Sequence, residues 1–312
     1  MALVAKSARK KKDPKYENFK LRKKIKAKNL KKLPSAWSLW KDSLRFIKLH
    51  RKKIALFLVI YMTLYIVFVR GLGNAVDFAN VKANFSKNGQ SIDGIAKSVI
   101  FFGVLVGASN AASSDVAAAY QSILFVISSL AFIWLIRALH SKNNSKVRIR
   151  DSYYLGMQPF VTFLIVLFVM ALETIPLSIA GFLLNTALGT SGITIPETFI
   201  FIMLASLVSL ISLYFISGTW AAIYIVTLQG AEPWKSIRAS NKLISVNRWR
   251  VMRKLLALIV FLLASAAILI IPLLMILPEG YEYIAEYGFF AYLLISFSIA
   301  HTYLYMLYKS LL

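Results

Sequence analysis

A 312-residue chain that is 58% hydrophobic, with a mean hydropathy of +0.66, carries too much apolar surface for a soluble globular domain. Several of its runs exceed the roughly 18 residues that cross a bilayer, and the absence of cysteine excludes disulfides, thiolate zinc sites, iron–sulfur ligation and cysteine nucleophiles. The formal charge of +24 would suit nucleic acid, but residues 1–53 hold 20 of the Lys/Arg against Asp13, Glu17 and Asp42, so it marks a tail and a membrane side.

Residues 1–34, rich in Lys and poor in large apolar side chains, read as a basic disordered cytoplasmic tail. Three uses stay open for it. Anionic lipid is preferred; RNA or ribosome, reached by Lys beside Tyr16 and Phe19, is disfavoured; the third is a solubility and orientation role. The stretch from Ala36 to Lys53 sets Trp37, Trp40, Leu44 and Ile47 on one helical face and Lys41, Arg45 and Lys48 on another, as an interfacial helix does. A first span follows at 54–70. It is expected to be a retained anchor, because Arg70-Gly71-Leu72 follows it in place of a small-residue cleavage site. The segment 93–113 is apolar but short and reads as interfacial or re-entrant; a span there would flip every later loop.

Further spans are expected at 116–139, 157–183, 197–228, 254–277 and 287–308, giving six helices and an all-α integral membrane fold over 35–312. Pro176 and Pro272 should kink their helices. The run from 197 to 228 is about 48 Å as a straight helix, longer than the roughly 30 Å core requires. Either it breaks at Ser217-Gly218-Thr219 or it protrudes, and both readings stay open. Glu173 is a carboxylate inside a span and therefore a candidate functional group. Counted from Met157 it lies about 24 Å up the helix, near the outer boundary, where it either acts or reaches water and caps the backbone loosened by Pro176. His301, about 12 Å from the inner end of its span, is either a functional imidazole or a neutral one bonded to a nearby Ser, Thr or Tyr.

Between the fourth and fifth spans lies the most informative stretch, residues 229–254. Gly230 ends the preceding helix and Pro233 suits a first helical turn. Lys235, Arg238 and Lys242 then form one cationic stripe, with Trp234, Ile237, Ile244 and Trp249 as apolar partners, and Arg248, Trp249 and Arg250 lead into the bilayer. These are the features of an elbow helix in the headgroup layer.

Sidedness follows from the cations. With six spans, 33 of the 37 Lys/Arg fall on one side, leaving Arg70, Lys82, Lys87 and Lys97 on the other, so both termini are expected in the cytoplasm at the inner or plasma membrane. A weak repeat adds to this: Ile175-Pro176 and Ile271-Pro272 stand 96 residues apart, each after a basic-aromatic segment, Arg148-Ile149-Arg150 with Tyr153-Tyr154 and Arg248-Trp249-Arg250. Together with 36–53 this suggests three units of elbow helix plus transmembrane hairpin; chance likeness among apolar stretches is the alternative.

The residues Gly230 to Trp234, Ser236-Ile237-Arg238-Ala239-Ser240, Leu243 and Arg248-Trp249-Arg250-Val251 resemble the membrane domain associated with glycerophosphoryl diester phosphodiesterases and related multi-pass families. The opening helix from Ala36 to Lys53 is similar to that domain's start. The resemblance implies a membrane-domain fold. It does not imply hydrolysis, since the metal-binding Glu, Asp and His of those enzymes belong to a separate soluble barrel, which is not expected within these 312 residues.

No other pattern calls for a catalytic group, metal or cofactor. His50, His140 and His301 lack ligand spacing, and Glu279, Glu282 and Glu286 read as a solvated acidic loop in preference to a cation site. The expectation is a non-catalytic membrane domain with a lipid-interacting or scaffold role, partnered by anionic lipid and open to other membrane subunits. A transporter using the broken fourth span and the proline kinks is the rival, and an enzyme acting on lipid headgroups the second alternative.

Overall fold

The computed structural model describes residues 33–69, 115–141, 147–189, 195–228, 230–276, 278 and 282–312. The tail through residue 32, the 93–113 segment and the side chains of Glu279, Glu282 and Glu286 fall outside them. Among the described residues the chain is helical throughout, with no strand.

The order is α1 (Ala36–Leu49), α2 (Arg51–Phe68), α3 (Asp115–His140), α4 (Ile149–Gly156), α5 (Phe160–Gly189), α6 (Ile195–Thr219), α7 (Ala222–Val226), α8 (Pro233–Ile244), α9 (Arg248–Ile276) and α10 (Glu282–Leu311). Five stretches among the described residues are long and apolar enough to cross a membrane: Ala119–His140, Phe160–Leu184, Pro196–Val226, Pro233–Ile270 and Tyr287–Leu311. The expected first span, α2, opens on Arg51, Lys52 and Lys53, and from Ile54 to Phe68 it measures about 22 Å, short of the roughly 30 Å hydrocarbon core.

Three times a short helix leads almost directly into a long apolar one: α1 into α2 through His50, α4 into α5, and α8 into α9 through a 3₁₀ turn at Ser245–Asn247. The first begins at Ser35, whose hydroxyl accepts from the Ser38 amide at 3.1 Å. Its buried face is Leu39, Ser43 and Phe46. This corrects the expected apolar face, because Trp37 and Leu44 stay exposed while Trp40 and Ile47 flank the docked stripe. Lys41, Arg45 and Lys48 are exposed as their pattern requires. The basic segments of the repeat are not equivalent either: Arg148 to Arg150 opens the short α4, whereas Arg248 to Arg250 opens the long α9.

At the centre stands α3, whose Leu130, Ala131, Phe132, Ile133, Leu135 and Ile136 are all essentially inaccessible. α4 lies close against it, since a side chain at Gly156 would meet the Ala131 Cα at 3.0 Å. α9 and α10 form an antiparallel pair tied by Tyr292 Oη donating to the Leu262 carbonyl at 2.5 Å and Tyr303 Oη to the Lys254 carbonyl at 3.1 Å. α5 and α6 form the other pair, closely apposed where the small residues Ala180 and Ala205 are buried. Elsewhere this pair exposes Phe168, Phe182, Phe199 and Ile211, large apolar groups that only an apolar solvent accommodates cheaply.

Candidate functional site

The site is built around the interruption of the fourth long run. α6 stays helical through Ser217, Gly218 and Thr219, where the break was expected, and the run is interrupted just after them, at Trp220 and Ala221, before α7 starts at Ala222. α7 and the turn before it are buried except at the partly exposed Ile223, with Trp220, Ala221, Ala222, Tyr224 and Val226 all at most 2% exposed, as suits an all-apolar short helix in a core. Its carbonyl end is satisfied from α3: Arg137 donates to the Tyr224 carbonyl at 3.0 Å, the Thr227 carbonyl at 2.9 Å and the Thr227 hydroxyl at 2.6 Å.

The elbow helix α8 docks against that break. Gly230 adopts φ 74°, left-handed backbone that glycine tolerates, and Pro233 opens the helix. The docked face is Ser236, Ser240 and Ile244 at i, i+4 and i+8, and Ser240 Oγ donates to the Gly218 carbonyl at 2.6 Å. Gly218 leaves room for two polar side chains: a Cβ there would lie 2.2 Å from Asn241 Oδ1 and 2.5 Å from an Arg248 terminal nitrogen, so those ends would have to shift. Ile237 packs partly into the bundle and Ile244 wholly, whereas Trp234 and Trp249 remain exposed. Lys235, Arg238 and Lys242 line the outer face, with Lys235 paired to Glu232 at 2.6 Å.

Arg248 departs from its expected role as an interface cation. It turns inward, stacking its guanidinium 3.8 Å from the Tyr214 ring centroid and donating through Nε to the Tyr214 carbonyl at 3.2 Å. Arg250 stays outside.

Glu173 is the acidic member of the same cluster. Its carbonyl accepts from Ser212 Oγ at 2.6 Å, one turn before Pro176, where the missing amide loosens the ladder. Its Oε2 accepts from the Thr219 hydroxyl. Thr219 is the last residue of α6 and adjoins the docked elbow, so Glu173 serves the elbow end of the bundle and not the outer boundary. The physical reasons are two: α5 runs on to Gly189, which puts Glu173 midway along it, and helical side chains lean back toward their helix's start.

Tyr224 Oη donates to the His301 carbonyl at 3.1 Å, so Glu173 and His301 both bond the short segment from Thr219 to Tyr224. Among the described residues no hydroxyl bonds Nδ1 of the His301 imidazole. It sits edge-on to Phe132 and Phe297, with Nδ1 buried and unpartnered among the described residues. Pro176 and Pro272 both lie inside continuous helices.

The arrangement gathers Glu173, Gly218, Thr219, Asn241 and Arg248 from four helices and leaves His301 outside the cluster. Sequence reasoning missed Arg137, Ser212, Ser240 and Tyr224. Ser236 and Ser240 at helical spacing opposite the cation stripe were the available signal for a small-residue docking face. No protein-family model, curated protein or solved structure matches this chain.

Proposed function

We propose that the chain is a non-catalytic, six-span membrane domain, with α2 as the sixth span and three elbow-plus-hairpin units, that binds anionic lipid on its elbow face. The observation that carries this is the division of α1 and α8 into a docked face and a cationic one: Lys41, Arg45 and Lys48 on α1, Arg238 and Lys242 on α8, all exposed. Each cation near an anionic surface contributes about 1 kcal/mol. With these cations toward the cytoplasm, both termini lie there too, in an inner or plasma membrane. The resemblance of the 230–251 stretch to the phosphodiesterase-associated membrane domain agrees with this reading, as does the tail's composition.

The test uses the full chain in detergent, titrated with an anionic phosphatidylglycerol or a neutral phosphatidylcholine of equal chain length. The anionic lipid should raise Tm at low salt and lose that effect at high salt. Replacing Lys41, Arg45, Lys48, Arg238 and Lys242 by Gln should remove most of the difference. Equal stabilisation by both lipids, insensitive to salt, would reject the assignment.

One observation favours transport as the second reading. A broken helix beside an intramembrane carboxylate, Glu173 at Thr219, is a recurring design of solute sites. Against it stands the dense apolar packing around α3. Solute uptake by proteoliposomes that is lost in Glu173→Gln would favour transport over the lipid-binding reading.

A further inference from the structure

Glu173 and Arg248 carry opposite charges in one cluster, yet no ion pair joins them: their charged atoms stay beyond 4.0 Å. Each is held by a neutral partner instead. Thr219 occupies one carboxylate oxygen of Glu173, leaving Oε1 as an acceptor. The Tyr214 ring and carbonyl hold one face and Nε of Arg248, leaving its terminal nitrogens as donors. Both side chains are half-buried, and the surface around them carries exposed Leu172, Tyr214, Phe215 and Trp249, an apolar rim suited to acyl chains. Asn241 and Gly218 complete the floor beside the guanidinium. Arg248 acts on the Glu173 carboxylate only across a gap, with no direct contact; an intramembrane carboxylate gains most from a cation in contact with it, and a guanidinium fork matches a phosphate.

We propose that Glu173 and Arg248, with Thr219 and Asn241, form a headgroup site for a phospholipid bearing both a phosphate and a primary ammonium, the phosphate on Arg248 and the ammonium on Glu173. The site is distinct from the cationic stripe on the outer face of α8, which has no acidic member facing the bundle. It deepens the lipid-binding reading and rests on it.

The test separates the two. The full chain in detergent is titrated with dioctanoyl phosphatidylethanolamine, its N-methyl and N,N-dimethyl derivatives and phosphatidylcholine, all of which carry no net charge, and binding is read by native mass spectrometry. On the unaltered chain affinity should fall stepwise with N-methylation, by about tenfold across the series, because each methyl removes an N–H donor to Glu173. Glu173→Gln, which keeps the acceptor for Thr219, should flatten the series without changing phosphatidylcholine affinity, and Glu173→Asp should retain part of it. Arg248→Gln should weaken all four lipids by about tenfold. Lys309→Gln, at an exposed cation on α10 away from the cluster, should leave the series as it is.

A flat series on the unaltered chain would overturn the proposal, as would an unchanged one in Glu173→Gln. Glycerophosphoethanolamine, the headgroup alone, should compete poorly. If it displaces the lipid at equal concentration, the site is one for a water-soluble aminophosphate and the lipid assignment is overturned. Should the series fail while the phosphatidylglycerol effect still depends on the elbow cations, only the headgroup site falls.

Discussion

Gly218 shows how one missing side chain organises the cluster. Its bare Cα lets Asn241 and Arg248 approach, and its carbonyl receives Ser240. Gly218→Ala would therefore push the far ends of two polar side chains and strain the seat of α8. Because those ends can move, the expected cost is about 1–3 kcal/mol and not a failure to fold. A fall in Tm of the detergent-solubilised chain, partly recovered in the double variant Gly218→Ala, Asn241→Ala, would match this; no recovery would place the strain elsewhere. The candidate residues were readable in the sequence to different degrees for physical reasons. Glu173 stood out because ionisable groups in apolar runs are rare, but its depth was misjudged, since depth depends on where α5 ends and how its side chain leans. Arg137 counted only as a sidedness cation, since nothing local in the sequence announces that a guanidinium will meet the carbonyls of a helix many residues on. Arg248 looked like a surface charge for the same reason.

For the helices, apolar run length located each long helix, with ends off by up to nine residues, because bilayer-crossing segments must satisfy every backbone group internally and so remain helical. Which face of a short helix docks was harder to read. On α8 the bundle takes Ser236, Ser240 and Ile244, a face on which small hydroxyl residues allow close approach while their Oγ atoms bond carbonyls: Ser236 to Glu232 at 2.8 Å and Ser240 to Gly218 at 2.6 Å. A hydrophobicity pattern rewards Trp234, which in fact stays outside. Ile244 is the apolar anchor of this face, fully buried, so Ile244→Asp should place an unpaired charge in the core at a cost of several kcal/mol. Loss of the monodisperse folded protein on size-exclusion chromatography is the expected result. Lys235→Gln removes only an exposed pair with Glu232 and should change stability by less than about 0.5 kcal/mol. An Ile244→Asp variant that melts like the parent would mean that α8 is not docked.

Across the molecule, the two long antiparallel pairs fix where the ends must lie. α5 ends at Gly189 and α6 begins at Ile195, and α9 ends at Ile276 and α10 begins at Glu282, all four at the far end of the bundle from α8 and from the last residue of α10. The cations concentrate near α1, α4 and α8, at the same end of the helix pairs as the elbow, which is the end the proposed topology puts toward the cytoplasm. The absence of native cysteine makes this directly measurable. Single cysteines in place of Lys242 and Leu312, both exposed on the elbow face, should be shielded from an impermeant thiol reagent in intact cells and react after lysis. Cysteines in place of Pro196 and Pro278, exposed at the opposite end, should react from outside. Ser240, on the docked face of α8, is unsuitable for this test because it is buried. If Lys242→Cys and Leu312→Cys both label in intact cells, the elbow face is outward; if only one of them does, an odd number of crossings separates them and the antiparallel pairing of α9 with α10 is wrong.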